Sequence, residues 1–169
     1  MVESKLQIED VDPSSEEQIL VLERLAKEIW EHHYIPIVGA AQIEYMLDKF
    51  QSAKPMKEQM KNGYSYYLAK NSNSIGYLCI KSQGNYLFIS KIYIHHSQRG
   101  NGYGKKLISF AEKKAKSNRL SALRLIVNKQ NSNTISFYES LGFENKRELV
   151  TDIGGGYVMD DFEMVKNLS

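Results

Sequence analysis

One cysteine, three prolines and one tryptophan stand in 169 residues, and no apolar run approaches the length needed to cross a bilayer. With Cys79 the only thiol, no intrachain disulfide can form, and a reducing, cytoplasmic setting is expected. No metal is expected either. Neither sign of charge is in excess: the net charge is +2 and no Lys/Arg block stands out, which argues against a nucleic-acid partner. The opening MVESKLQIED is too polar for a secretory leader, and no membrane partner is expected. What is present is ordinary for a globular chain, with 42% hydrophobic and 25% charged residues. At this length residues 1–169 are expected to form one domain with a proper core.

The pattern along the chain alternates helices and strands. Leu6 to Val11 reads as a first strand, and Asp12-Pro13-Ser14-Ser15 as a turn, with Ser14 and Glu17 in capping-box spacing. Ile19, Leu22, Leu25, Ala26, Ile29 and Trp30 recur at helical spacing, and Pro36 is expected to stop that helix. Ile43, Met46, Leu47 and Phe50 mark a second amphipathic segment, and a short polar helix is expected over 55–61. Strands over 64–70, 75–81 and 86–95, separated by Asn/Ser- and Gly-containing turns, read as an antiparallel meander. A central helix, a strand over 123–127, a helix over 131–141 and strands over 144–150 and 161–166 follow, with a glycine-rich loop at 152–160. The sum is a mixed, mostly antiparallel α/β sheet of six or seven strands with about four helices.

The stretch ISKIYIHHSQRGNGYGKKLISFAEKKA, residues 89–115, is where strand, glycine loop and helix meet. Glycines let a backbone come close to a phosphate, and a helix start offers free N–H groups and a favourable dipole. Gly104-Lys105 is followed by Lys106, not Ser or Thr, so the mononucleotide P-loop is excluded. Gly100-x-Gly102 is followed by Gly104 and a lysine, so the dinucleotide fingerprint G-x-G-x-x-G fails. The spacing that fits is Arg99-x-x-Gly102-x-Gly104.

That spacing resembles the pyrophosphate loop of the GCN5-related N-acetyltransferase (GNAT) superfamily. A second stretch, LRLIVNKQNSNTISFYESLGF, is similar to the family's later motif: a strand, Asn131, and a helix closing in Tyr138-x-x-x-Gly142-Phe143. The resemblance implies a single GNAT-type domain whose sheet is splayed in the middle. It implies acetyl-CoA as cosubstrate, with transfer to a primary amine by direct attack in a ternary complex. It assigns Arg99, Gly100, Asn101, Gly102, Tyr103, Gly104 and Lys105 to the diphosphate and the backbone of Ile92, Tyr93 and Ile94 to the pantetheine arm. Asn131 either hydrogen-bonds the cofactor or caps its helix, and the two roles are compatible. Tyr138 is the implied general acid for the departing thiolate, against the plainer reading of a packed helix tyrosine.

No carboxylate stands where many family members carry a glutamate base. The central strand has Ser90-Lys91 and the next has Leu125-Ile126-Val127, leaving ordered water or one of His32, His33, His95 and His96. Family pockets nominate Trp30, Glu31, His33 and Tyr34 on one side and Tyr157, Asp160 and Asp161 on the other. Aromatics with carboxylates suit a cation, and the chain's ending is similar to members that acetylate polyamines. The expected acceptor is therefore a small cationic amine. A protein N-terminal or lysine acetyltransferase and a non-catalytic acyl-CoA sensor are the alternatives, and a homodimer is left open.

Overall fold

The computed structural model describes residues 5–168, so the first four residues of the polar opening and Ser169 lie outside it. β1 (Gln7–Asp10) leads into α1 (Glu16–Val38), which is capped by Ser15. Its hydroxyl accepts from the Gln18 amide at 3.2 Å, occupying a donor that the first turn leaves free. The cap is thus one residue later than the spacing suggested. Ser14 donates to Asp12 instead, and the returning bond comes from Gln18, whose Oε1 accepts from the Asp12 amide at 2.7 Å. Pro36 leaves only two further residues in α1, so the helix does not continue much beyond it. The proline falls in the last turn, where one lost donor matters little, and the Gly39 amide still closes on the Ile35 carbonyl at 2.9 Å.

α2 (Ala40–Phe50), α3 (Ala53–Lys61), β2 (Ser65–Lys70), β3 (Ser74–Gln83) and β4 (Tyr86–Ile94) follow. After a 3₁₀ turn at His96–Gln98 come α4 (Tyr103–Ser117), β5 (Ala122–Asn128), α5 (Ser132–Ser140), β6 (Glu144–Gly154) and β7 (Tyr157–Asn167). The seven strands are ordered β1-β2-β3-β4-β5-β7-β6. β1–β2, β2–β3, β5–β7 and β6–β7 are antiparallel, while β4 and β5 run parallel over Tyr86–Ile89 and Ala122–Leu125. A parallel pair needs a crossover, and α4 supplies it. Among the described residues five α-helices stand where about four were expected.

The chain divides into two compact units. The first runs to Ile80 and adds Lys91–Leu107; the second comprises Lys81–Ser90 and Ile108 onward. In the first, the α1 stripe Ile19, Leu22, Leu25, Ala26, Ile29 and Trp30 is buried, as its spacing predicts, in a core that also holds Leu68, Tyr77 and Leu78. In the second, Leu123, Leu125 and Met164 of β5 and β7 are buried, as are Ile108, Ala111 and Ala115 of α4 and Phe143.

The loop expected over 152–160 is instead the closed end of the β6–β7 hairpin. Gly155 and Gly156 take φ of 61° and 80°, the left-handed pair that a two-residue hairpin turn demands. Tyr157, Asp160 and Asp161 are therefore strand residues, and the strand alternation separates the two acids.

Candidate functional site

The loop between β4 and α4 has the geometry its glycines suggested. Gly100 and Gly102 sit at φ of 83° and 75°, where a side chain is strained, and nothing lies within 4 Å of where a Cβ would stand on either. The loop is braced by Asn101, whose Nδ2 donates to the Gln98 carbonyl at 3.1 Å. The first helical bond of α4 runs from the Lys106 amide to the Gly102 carbonyl at 3.2 Å. The amides of Tyr103, Gly104 and Lys105 thus precede any intrahelical acceptor, and with the dipole they favour an anion. The open space and free donors fit a diphosphate. Arg99 is exposed, and its guanidinium donates to His33 Nδ1 at 3.3 Å.

Ile92, Tyr93 and Ile94 are half-buried on β4. Gly76 on β3 lets that backbone in close: a Cβ there would collide with the Tyr93 carbonyl oxygen and come within 2.7 Å of Ile94 Cδ1. Nothing in the glycine pattern of the sequence singled out Gly76. Tyr93 joins an aromatic cluster, with ring centroids 5.6 Å from Trp30, 6.5 Å from Tyr34 and 5.3 Å from Tyr77. His33 meets Tyr34 edge-on at 4.7 Å. Trp30, His33 and Tyr34 are therefore brought together with the central strand, while Glu31 is exposed.

Lys91, noted in the sequence only for not being a carboxylate, is 4% exposed. Its Nζ donates to the Phe50 carbonyl at 3.0 Å, to Gln59 Oε1 at 2.8 Å and to the Tyr66 hydroxyl, so all three ammonium hydrogens are used. Burial lowers its pKa to about 8. Burial likewise raises the Tyr66 and Tyr77 phenols.

In the second unit Tyr138 is buried on α5, its ring 5.6 Å from Phe137 and 5.5 Å from Phe143. Asn131 stands at the N-cap of α5 but its side chain makes no capping bond, while its backbone amide donates to the Asn128 carbonyl at 3.0 Å. The acids of β7 differ. Asp160 is exposed and held by Lys129 at 2.8 Å, whereas Asp161 is 4% exposed and makes no ion pair or hydrogen bond among the described residues. Burial, and then the charge of Asp160, raise the Asp161 carboxyl to about 6. Tyr157 is half-buried near the hairpin turn.

Among the described residues no group of three His, Cys, Asp or Glu side chains is arranged to hold a metal ion. Nor, among the same residues, is any helix long and apolar enough to cross a membrane.

Comparison with known proteins gives the same direction. Residues 22–143 match the model of the acetyltransferase (GNAT) family. A spermidine N(1)-acetyltransferase of Thermoplasma acidophilum is 27% identical over 146 residues, covering 83% of this chain and 86% of that protein. The crystal structure of the PaiA N-acetyltransferase from the same organism, in complex with coenzyme A, superposes with a TM-score of 0.81 at 25% identity, over 97% of this chain and 99% of that one. A GCN5-related N-acetyltransferase of Rhodopseudomonas palustris shares the fold, with a TM-score of 0.81 at 18% identity over 99% of each chain. With glycine loop, tyrosine motif and sheet order in agreement with a family match over most of its length, the chain belongs to the acetyltransferase (GNAT) family and is an acetyl-CoA-dependent N-acetyltransferase.

Proposed function

We propose that residues 1–169 act as one N-acetyltransferase domain whose acceptor is the primary amine of a small cation, a polyamine or a close analogue, attacked directly. The observation that carries this reading is Asp161, a 4% exposed carboxylate that makes no ion-pair contact, since the nearby Lys129 is held by Asp160 and acts on it only through its charge. A buried carboxylate is costly unless paired, so one left unpaired is matched to a positive charge that arrives with a ligand. The Thermoplasma relative named as a spermidine N(1)-acetyltransferase supports the same class.

Acetyl-CoA supplies an activated acyl thioester. The amides that open α4 and the Arg99 guanidinium hold its diphosphate, and the left-handed Gly100 and Gly102 keep side chains out of its way. The backbone of Ile92–Ile94 pairs with the pantetheine arm as an added strand would, and the Asn131 amide, free of any capping duty, hydrogen-bonds the same molecule. Tyr138 protonates the departing thiolate; an ordinary phenol, with a pKa of about 10, is a competent donor to it. Trp30 and Tyr34 offer ring faces to the cation, with His33 and Glu31 on the same helix, and Tyr157 of β7 is the third aromatic assigned to it.

The test is a panel of amines followed by thiol release: di- and polyamines, amino-terminal peptides and lysine peptides at equal concentration. The expected outcome is the highest kcat/KM with a polyamine. Faster turnover of a peptide makes the chain a protein acetyltransferase. Binding of acetyl-CoA with no turnover of any amine makes it a sensor.

A further inference from the structure

All four histidines of the chain gather in its first unit, two on α1 and two at the end of β4, immediately before the glycine loop. His32 stacks on His96 at 3.8 Å, and His96 on His95 at 4.1 Å. His95 is fixed at both ring nitrogens. Ser97 directs two donors at Nδ1, its amide at 3.2 Å and its hydroxyl at 2.8 Å. A nitrogen that accepts an N–H bond carries no proton, so the ring hydrogen is on Nε2, which faces Glu28 Oε2 at 3.1 Å.

The ring therefore caps the 3₁₀ turn His96–Gln98. The rest of that turn is tied as well: the Gln98 amide donates to the His95 carbonyl at 2.9 Å, and Asn71 Nδ2 donates to Gln98 Oε1 at 3.3 Å. The Gln98 carbonyl in turn receives Asn101 from inside the loop. Arg99 is the next residue. We propose that His95, held as its Nε2–H tautomer by Glu28, is a positioning residue that sets the Arg99–Lys105 loop in its diphosphate-binding geometry. The proposal rests on the reading of that loop as the cofactor site.

A second proton on the ring removes the acceptor from the Ser97 amide, and only the hydroxyl contact survives. Cofactor binding is therefore expected to weaken when that second proton is on the ring. The charged groups that share an open groove of about 540 Å³ with His95 are Glu17, Arg24 and Glu28 of α1 and Lys70 of β2, and of these Glu28 meets the ring. His96 lies on the ring itself, with His32 behind it, and Arg99 follows. The two acids attract the added proton, and Arg24, Lys70 and Arg99 repel it. Burial, and then His95, His32 and Arg99, hold the His96 imidazole below its ordinary pKa, with Glu28 opposing.

The experiment is calorimetry of coenzyme A binding at about pH 8 and about pH 6 to the parent, His95→Asn, His95→Ala and Gly102→Val. Asparagine keeps a cap acceptor but does not titrate, and its series carries the ligand's own titration. At the higher pH, His95→Ala is expected to bind roughly three- to tenfold more weakly, the usual range for a lost cap, and His95→Asn as the parent does. On acidification the parent should weaken by a similar factor beyond His95→Asn. Parent-like affinity of His95→Ala at both pH values, or the same acid loss in His95→Asn as in the parent, overturns the proposal. If His95→Ala does not fold, the parent-against-Asn comparison decides alone. Parent-like binding by folded Gly102→Val would instead remove the loop reading beneath it.

Discussion

Lys91 in the first unit and Asp161 in the second are each 4% exposed, and the fold treats them in opposite ways. Lys91 spends every ammonium hydrogen on an internal acceptor, from the end of α2, from α3 and from β2. Asp161 has no hydrogen bond or ion pair among the described residues, and its neighbour Asp160 has taken Lys129. A buried charge whose partners are complete is part of the architecture. One whose partners are missing carries a standing cost, and a ligand of opposite charge removes it. Changes in the second unit should therefore fall on kinetics, and changes at Lys91 on stability.

Tyr138 gives that contrast its largest expected effect. General acid catalysis is typically worth ~10²–10⁴-fold, so Tyr138→Phe should lower kcat by an amount in that range. The ring packing with Phe137 and Phe143 is retained, so acetyl-CoA affinity and Tm should barely move. Near-normal kcat with a collapsed Tm would assign the hydroxyl to the fold. A loss well under tenfold calls for single-turnover kinetics, to learn whether water serves as the acid or chemistry is not limiting.

Next comes the acceptor. A hydrogen bond to a charged group is worth about 1.5–3 kcal/mol, so Asp161→Asn should raise the amine KM by roughly 10–100-fold. The KM for acetyl-CoA should stay within about twofold, since only the amine is cationic. Asp160→Asn is the internal control: it breaks an exposed pair with Lys129, worth about 0–1 kcal/mol, and should leave both KM values near the parent's. Equal effects of the two substitutions would erase the distinction between them.

The sequence pattern was sufficient for the α1 stripe, the strand at 123–127 and the glycine loop that opens α4, because each depends on neighbours a few residues away. It failed at the hairpin turn, where three successive glycines look like a loop but two of them supply the positive φ of a tight turn. It could not show Gly76, whose need for a missing Cβ arises from the backbone of β4, eighteen or so residues on. Nor could it put Asp160 and Asp161 on opposite faces while the first was read as the end of a loop and the second as the start of a strand, since alternation follows only once both lie in one strand. Lys91 was legible as the absence of a base. Its three acceptors come from residues 50, 59 and 66, and no local pattern joins those to position 91.

Lys91→Met should be a stability variant. It removes the donor from three acceptors, of which Gln59 Oε1 keeps the Tyr66 hydroxyl, at a cost of about 1–3 kcal/mol for each group left unsatisfied, while removing a desolvated charge recovers part of that. A net loss of a few degrees in Tm with kcat within about threefold is expected. An unchanged Tm with a kcat loss beyond tenfold would move Lys91 from the architecture into the chemistry.

The smallest effect sharpens the comparison most, because burial displaces the two titrations in opposite directions. Asp161 is raised from its ordinary 3.8 to about 6, so between those values the folded state binds more protons than the unfolded one. The stability this supplies is complete below the unfolded value and is lost as pH rises through about 6. Lys91 is lowered from 10.5 to about 8, so in that window the unfolded state binds more protons. Its contribution is complete above 10.5 and is lost as pH falls through about 8. Urea unfolding of the parent against Asp161→Asn should therefore show the parent losing relative stability from about pH 4 to 6. Against Lys91→Met, the parent should gain it from about pH 8 to 10. A saturating polyamine should abolish the first slope, because a bound cation returns Asp161 to its ionised form, and should leave the second unchanged. If the acid slope survives the polyamine, Asp161 is not where the cation sits, and the missing partner belongs to the fold after all.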